Sequence, residues 1–213
     1  MDVVERWGRF LNSVGEGMGI QVTVMTRTLD PESAGQGLAM GVKGDGLDAL
    51  REDFDRHVRR KLSGQSSGTV CDKYLTLTLA EQDGQRAVAT LNRAALRAIA
   101  QLRSVGGCRG SKLNRAERLK VLHRVLRPGV RFTFDEDAFS RSRGLCTKDC
   151  VAPYAIDTGD RRRVKLCSGT REVWHQCLMV RDFPEWLSDQ LVASLTDIKA
   201  DIIVSVHLRP HAK

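Results

Sequence analysis

Lys112 stands closest to a recognisable chemistry in this chain. It closes the stretch "GGCRGSK", which resembles a phosphate-binding loop. Such a loop needs Gly-x-x-x-x-Gly-Lys-[Ser/Thr] between a strand and a helix. Its backbone amides then cradle the phosphates while the lysine reaches the terminal ones. Here Ser111 intervenes between Gly110 and Lys112, which puts the lysine out of register. The flanking patterns are both helical, so the stretch reads as an interhelical turn. The other Gly-rich stretch, "GQGLAMGVKGDG", follows no strand and has no Gly-Lys pair.

The remaining reactive side chains do not assemble either. The five histidines are His57, His123, His175, His207 and His211. They form no His-Glu-x-x-His pair, and no Gly-x-Ser-x-Gly elbow is present. His123 sits beside the apolar face of its helix, where a partly buried structural role is expected. Asp135-Glu136-Asp137 reads as solvated charge in a loop. Cys146, Cys150, Cys167 and Cys177 are the thiols that a zinc site would draw on. Their spacing lacks the Cys-x-x-Cys knuckle of structural zinc, so reduced free or half-buried thiols are expected. No nucleophile, base and orienting group come together. The expectation is a chain with no catalytic residue, no metal and no cofactor.

Charge is the more informative feature. Net charge is +8, which favours contact with anionic partners such as nucleic acid, lipid headgroups or an acidic protein. The surplus gathers between Arg93 and Arg131. Arg93, Arg97, Arg109, Lys112, Arg115, Arg118, Arg124 and Arg127 form the candidate anion- or partner-contact surface, carried on two helices. Few aromatics are interleaved, so single-strand stacking is expected to be weak.

The elements that must position these residues follow from periodicity. "GIQVTVMTRT" and "DKYLTLTLA" alternate as strands. "LDALREDFDRHVRRKL" places Leu47, Leu50, Phe54, Val58 and Leu62 at helical spacing. "DGQRAVATLNRAALRAIAQLRSVG" is a long helix with Val88, Leu91, Ala95, Ile99 and Leu102 as its buried stripe. "NRAERLKVLHRVLRPG" opens on a capping box, Asn114 with Glu117, and stops at Pro128-Gly129. The stretch from Val130 to Asp160 reads as irregular. Two strands then flank Ser168-Gly169-Thr170. Ser188 caps a short helix, and Ile202, Val204, Val206 and Leu208 line one face of a last strand. Trp186 is expected to pack inward and orient that short helix.

The sum predicts an α+β fold: small, mostly antiparallel sheets with helices packed on one side, each half holding a split βαβ-like unit. The halves are expected at 1–130 and 131–213, packed as one domain. The opening residues do not form a targeting peptide. No run approaches the ~20 apolar residues of a membrane-spanning helix, so a cytoplasmic protein is expected.

Five phrases, in order, carry a family resemblance. "CDKYLTLTLAEQDGQRAVATLNRAALRAIAQL" resembles an Asp-Arg/Lys-Tyr-Leu-Thr strand followed by a long helix. "NRAERLKVLHRVLRPG" resembles the helix after it, and "TKDCVAPYAID" a Lys-Asp-x-x-Ala-Pro turn. "VWHQCLMVRDFPEWLSDQLVASLTD" resembles a strand with an Asp-Tyr/Phe-Pro-x-x-Leu corner, and "DIIVSVHLRP" a closing Ser-x-His-x-x-Pro strand. The set is similar to the N-terminal domain of the large conjugative type IV secretion ATPases, in the Gram-positive and integrative-element branch. The resemblance implies a non-catalytic assembly domain for DNA transfer. It would dock on channel components and neighbouring ATPase subunits at the cytoplasmic face of the membrane, and be oligomeric when joined to its motor. The RecA-like motor domain, with its nucleotide motifs, follows this region in the family, and no ATP-binding residue carries over. The alternative is a stand-alone basic nucleic-acid-binding module.

Overall fold

The computed structural model describes residues 3–15, 17–28, 39–63, 69–105, 107–142, 144–182, 185, 190–198 and 200–209. The fold is α+β, with two small antiparallel sheets of three strands each. It divides into two compact units. One comprises Met1–Arg109 and Glu185–Lys213, and the other, Gly110–Pro184, is inserted between those segments. The boundary expected at 130/131 thus falls inside the inserted unit. The expectation missed that the last strand returns to the first.

The first unit is built on β1 (Met18–Thr28), which pairs antiparallel with β2 (Thr69–Leu79) on one side and β6 (Ile202–Leu208) on the other. The register sets Ile20 opposite Leu77 and Leu208, and Val22 opposite Leu75 and Val206. One face is therefore aliphatic on all three strands. The other carries Gln21, Thr23 and Ser205, whose side chains hydrogen-bond to one another at 3.1–3.3 Å. Both outer strands run antiparallel to β1, so they are parallel to each other with β1 between them. This is one split βαβ arrangement, spread across the whole chain. The second sheet, by contrast, is a plain meander.

Two helices close the aliphatic face. α1 (Val3–Asn12) buries Phe10, which stacks on Trp7 at 5.1 Å. The periodicity reading assigned no helix here. α2 (Asp48–Ser63) follows β1, and α3 (Gly84–Ser104) follows β2. Asp83 starts α3 by accepting from the amides of Gln85 and Arg86, as an N-cap should. Its buried centre is Ala98 rather than the larger residues expected. Val88, near the first turn, is left 61% exposed. α1 docks on the far end of α3, where Arg6 donates to the Ser104 carbonyl and the Ser13 hydroxyl to Gln101 at 2.7 Å. α2 departs furthest from expectation. Its stripe of Leu47, Leu50 and Phe54 is exposed, not buried.

The return of the chain is fixed at α7 (Gln190–Thr196) and the start of β6. Thr26 is 1% exposed. Its hydroxyl donates to the Ala200 carbonyl at 2.9 Å and accepts from the Ile202 amide at 3.1 Å. Phe183, Trp186 and Ser188, and with them the expected inward packing of Trp186, lie outside the described residues. So does the start of the loop after β1.

The inserted unit begins with α4 (Arg115–Leu126). Its capping box is formed as expected: Asn114 N–H donates to Glu117 at 2.8 Å and Glu117 N–H to Asn114 at 2.9 Å. Leu119 and His123 are its buried residues, while Leu122, expected on that face, is exposed. The stretch read as irregular holds α5 (Glu136–Arg141), α6 (Thr147–Val151) and β3 (Ala155–Asp157). Each helix is too short for periodicity to register, and each is set by a local cap. Asp135 accepts from Asp137 and Ala138, and Asp149 accepts from the Cys146 amide at 2.8 Å. β3 pairs with β4 (Val164–Ser168), and β4 with β5 (Arg171–His175), all antiparallel. Gly129 is held at φ +74, a conformation that favours glycine, and the Arg171 guanidinium lies in the space that a Cβ would take.

Replacing Thr26 by valine keeps the shape and removes the hydroxyl. It strands the Ala200 carbonyl in a buried setting. We expect a loss of about 1–3 kcal/mol in urea unfolding; an unchanged midpoint would show that the junction does not depend on this group.

Candidate functional site

The basic run identified in the sequence is divided between the two units. Arg93 and Arg97 lie one turn apart on α3, and Arg109 ends the first unit. Lys112, Arg115, Arg118, Arg124 and Arg127 belong to the inserted unit. Within the inserted unit the bases differ in kind. Arg115 and Arg118 are exposed on α4, with Arg115 3.6 Å from Glu136. An exposed pair at that distance contributes little. Arg124 and Arg127 are half-buried. Arg127 lies at the C-terminal end of α4, its amide bonded to the His123 carbonyl at 2.7 Å and its guanidinium 4.9 Å from the Tyr154 ring centre. That stacking makes it a packing residue as much as a charge.

Arg93 and Arg97 do come together, on the rim of a groove. Its floor is apolar: Phe10 from α1, Met18, Leu77 and Leu79 from the sheet, Ala94 and Ala98 from α3. The hollow measures about 310 Å³. The sequence dictates this locally. The small residues Ala94 and Ala98, one turn apart, leave room between α3 and the sheet, and the two arginines follow the same spacing along the helix edge. A mostly apolar hollow with two arginines in its lining can take an apolar side chain with a carboxylate or phosphate beside it.

A second cationic group was not identified from the sequence. Trp174 on β5 is 53% exposed. It sits opposite Lys165 on β4, with the Arg163 guanidinium 5.3 Å and the Lys165 ammonium 5.6 Å from its ring centre. Lys165 also lies 3.8 Å from Asp157 and 3.5 Å from Glu172. The signal was present in Arg161-Arg162-Arg163 running into an alternating strand, but cross-strand register decides which residues meet.

His123 is buried against Phe132, edge to face at 5.2 Å. Burial, and then the positive charge of Arg127, hold its pKa below the usual 6.5. Both disfavour the imidazolium, which suits a histidine packed in the core beside an aromatic ring. Among the described residues no group of three or more His, Cys, Asp and Glu side chains is placed to hold a metal ion. The six thiols are all unpaired. No helix among the described residues is long and apolar enough to cross a membrane.

No family model, curated protein or solved structure matches the chain.

The His123 environment sets a pH dependence. Because its folded pKa lies below the unfolded one, the unfolded chain binds more protons between the two values. Stability therefore rises with pH across that window. We expect the urea midpoint to fall as pH is lowered from 7.5 through 6.5 to 5, and the fall to be smaller in His123→Gln. Equal falls in both proteins would assign the effect to other groups.

Proposed function

We propose that this chain is a non-catalytic docking module, and that it serves as the N-terminal assembly domain of a conjugative type IV secretion ATPase. The observation that carries docking is the groove of the first unit. Its floor is apolar, and its rim is formed by the paired cations Arg93 and Arg97. Such a trough suits a partner segment that presents an apolar residue flanked by acid. The assignment to conjugation rests on the five ordered phrases, from Asp72-Lys73-Tyr74-Leu75-Thr76 to Ser205-x-His207-x-x-Pro210. On this reading the partners are channel components and neighbouring ATPase subunits. The place of action is the cytoplasmic face of the membrane, reached by peripheral contact.

A second reading has one observation in its favour. The exposed Trp174, flanked by Arg163 and Lys165, offers a stacking face beside cations, the elements of a single-strand contact. One aromatic is a small platform, and it belongs to a different unit from the groove.

Two measurements separate these readings. A photo-crosslinking residue placed at Arg97 should capture a channel component or ATPase subunit in cells that carry the element. An in-frame Walker A motif beyond codon 213 should accompany it. Fluorescence anisotropy with single- and double-stranded oligonucleotides should show weak binding that disappears near ~150 mM salt, where screening reaches within ~8 Å. Submicromolar affinity at that salt would overturn the docking assignment. That affinity would have to be lost on replacing Arg97, Arg115, Arg118 and Arg124 by alanine, or Trp174 by alanine. The log-log salt slope would then drop by roughly 0.7–0.9 for each phosphate contact removed.

A further inference from the structure

α2 is a formed helix with an uncovered apolar face. Its start is tied to the segment before it. Asp48 accepts from the amides of Lys43 and Gly44, each at 2.9 Å, and from Arg51 at 2.7 Å. Asp55 accepts from the Met40 amide at 3.1 Å, which ties the lead-in segment to the helix. Leu47, Leu50 and Phe54 nonetheless stand 54, 70 and 45% exposed, and Met40 and Val42 beside them are exposed too. Apolar patches of this kind on soluble proteins mark contact surfaces.

The charges on the helix say what covers it. Asp48, Glu52, Asp53 and Asp55 occupy the first half, and Arg56, Arg59, Arg60 and Lys61 the second. The one base of the first half, Arg51, is bound to Asp45 and Asp48. We propose that α2 is the interface of a two-fold symmetric homodimer in which the two copies of this helix pack antiparallel. At about 100° per residue, Asp53 in the first half and Lys61 in the second flank the apolar stripe on the same side; in that orientation the Asp53 of each helix faces the Lys61 of the other, twice over. A parallel pair would set like charge against like. An anionic lipid surface would meet four carboxylates along with the bases. Antiparallel packing also opposes the two helix dipoles. Leu47, Leu50, Phe54 and Val58 recur at three- and four-residue steps, the spacing that lets two helices interdigitate. The two-fold axis makes the surface self-complementary without a second patch. Asp53 lies 2.7 Å from Arg56 of its own helix, but both are exposed, and such a pair is readily exchanged for an intermolecular one. A single pair of sixteen-residue helices, about 24 Å long, makes a small interface, so the dimer should be of micromolar strength. The inference is independent of the function proposed above.

Sedimentation velocity of the full chain over a concentration series tests it, with circular dichroism confirming that each variant is folded. The wild type should pass from monomer to dimer in the micromolar range, and more weakly as salt is raised. Leu50→Glu, at an already exposed site, should be monomeric. Lys61→Glu should weaken the dimer at least tenfold. Adding Asp53→Lys to the same chain should restore it, because the swap preserves complementarity only against an identical helix. A monomer at every concentration, a dimer indifferent to Leu50→Glu, or no recovery in the double variant would each overturn the proposal. So would a monomeric chain that binds phosphatidylserine vesicles and loses that binding in Leu50→Glu, which would make the face a lipid contact.

Discussion

The first unit depends on β1 being paired along both edges. A central strand with an aliphatic face needs two neighbours of matching alternation, and β2 and β6 supply them in register. One neighbour comes from nearby, the other from the far end of the chain. Everything from Gly110 to Pro184 has to be accommodated as an excursion between them. Thr26 sits where that excursion closes. It is a buried polar residue whose hydroxyl serves the two backbone groups of the turn into β6, and the burial is tolerable because the group is satisfied.

Some of the basic residues are committed to structure. Arg51 binds the acids at the start of α2, Arg127 lies over Tyr154, and Arg171 fills the space that Gly129 leaves open. Arginine suits such places because its planar group stacks while keeping its charge. Other bases face outward: those of the second half of α2, Arg93 and Arg97 on α3, Arg115 and Arg118 on α4, and the cations around Trp174. A count of charges along the chain does not distinguish these roles; the neighbours of each guanidinium do.

Elements with strong local signals were legible in the sequence. β1, β2, β6, the β4–β5 hairpin and the capped helices α3 and α4 all carry alternation, period or a cap that acts within a few residues. Other features, α1 and β3 among them, were not legible. α5 and α6 are shorter than two helical turns, and their caps, Asp135 and Asp149, look like ordinary loop acids. The pairing of β6 with β1 is a long-range choice that alternation permits but does not specify. And amphipathicity says that α2 has an apolar stripe without saying whether this chain covers it. The same limit applies to the candidate site. Arg93 and Arg97 were picked out by composition, but the groove beneath them depends on Ala98 and Phe10, which draw no notice in sequence. Trp174 met its cations only through strand register.

The closure of the first sheet also has a history in time. Thr26 and Ile202 are 176 positions apart. At ~5–20 residues per second, β1 waits on the order of ten seconds or more after leaving the ribosome before its second neighbour exists. During that interval the nascent β1–β2 pair offers one bare backbone edge and an aliphatic face that lacks a strand. The inserted unit, whose contacts are internal, is complete earlier and can fold while the first is still open. A nascent chain of this design is at its most adhesive midway through synthesis. The polar row of Gln21 and Thr23 on the opposite face is then what keeps that half-built sheet from being sticky on both sides.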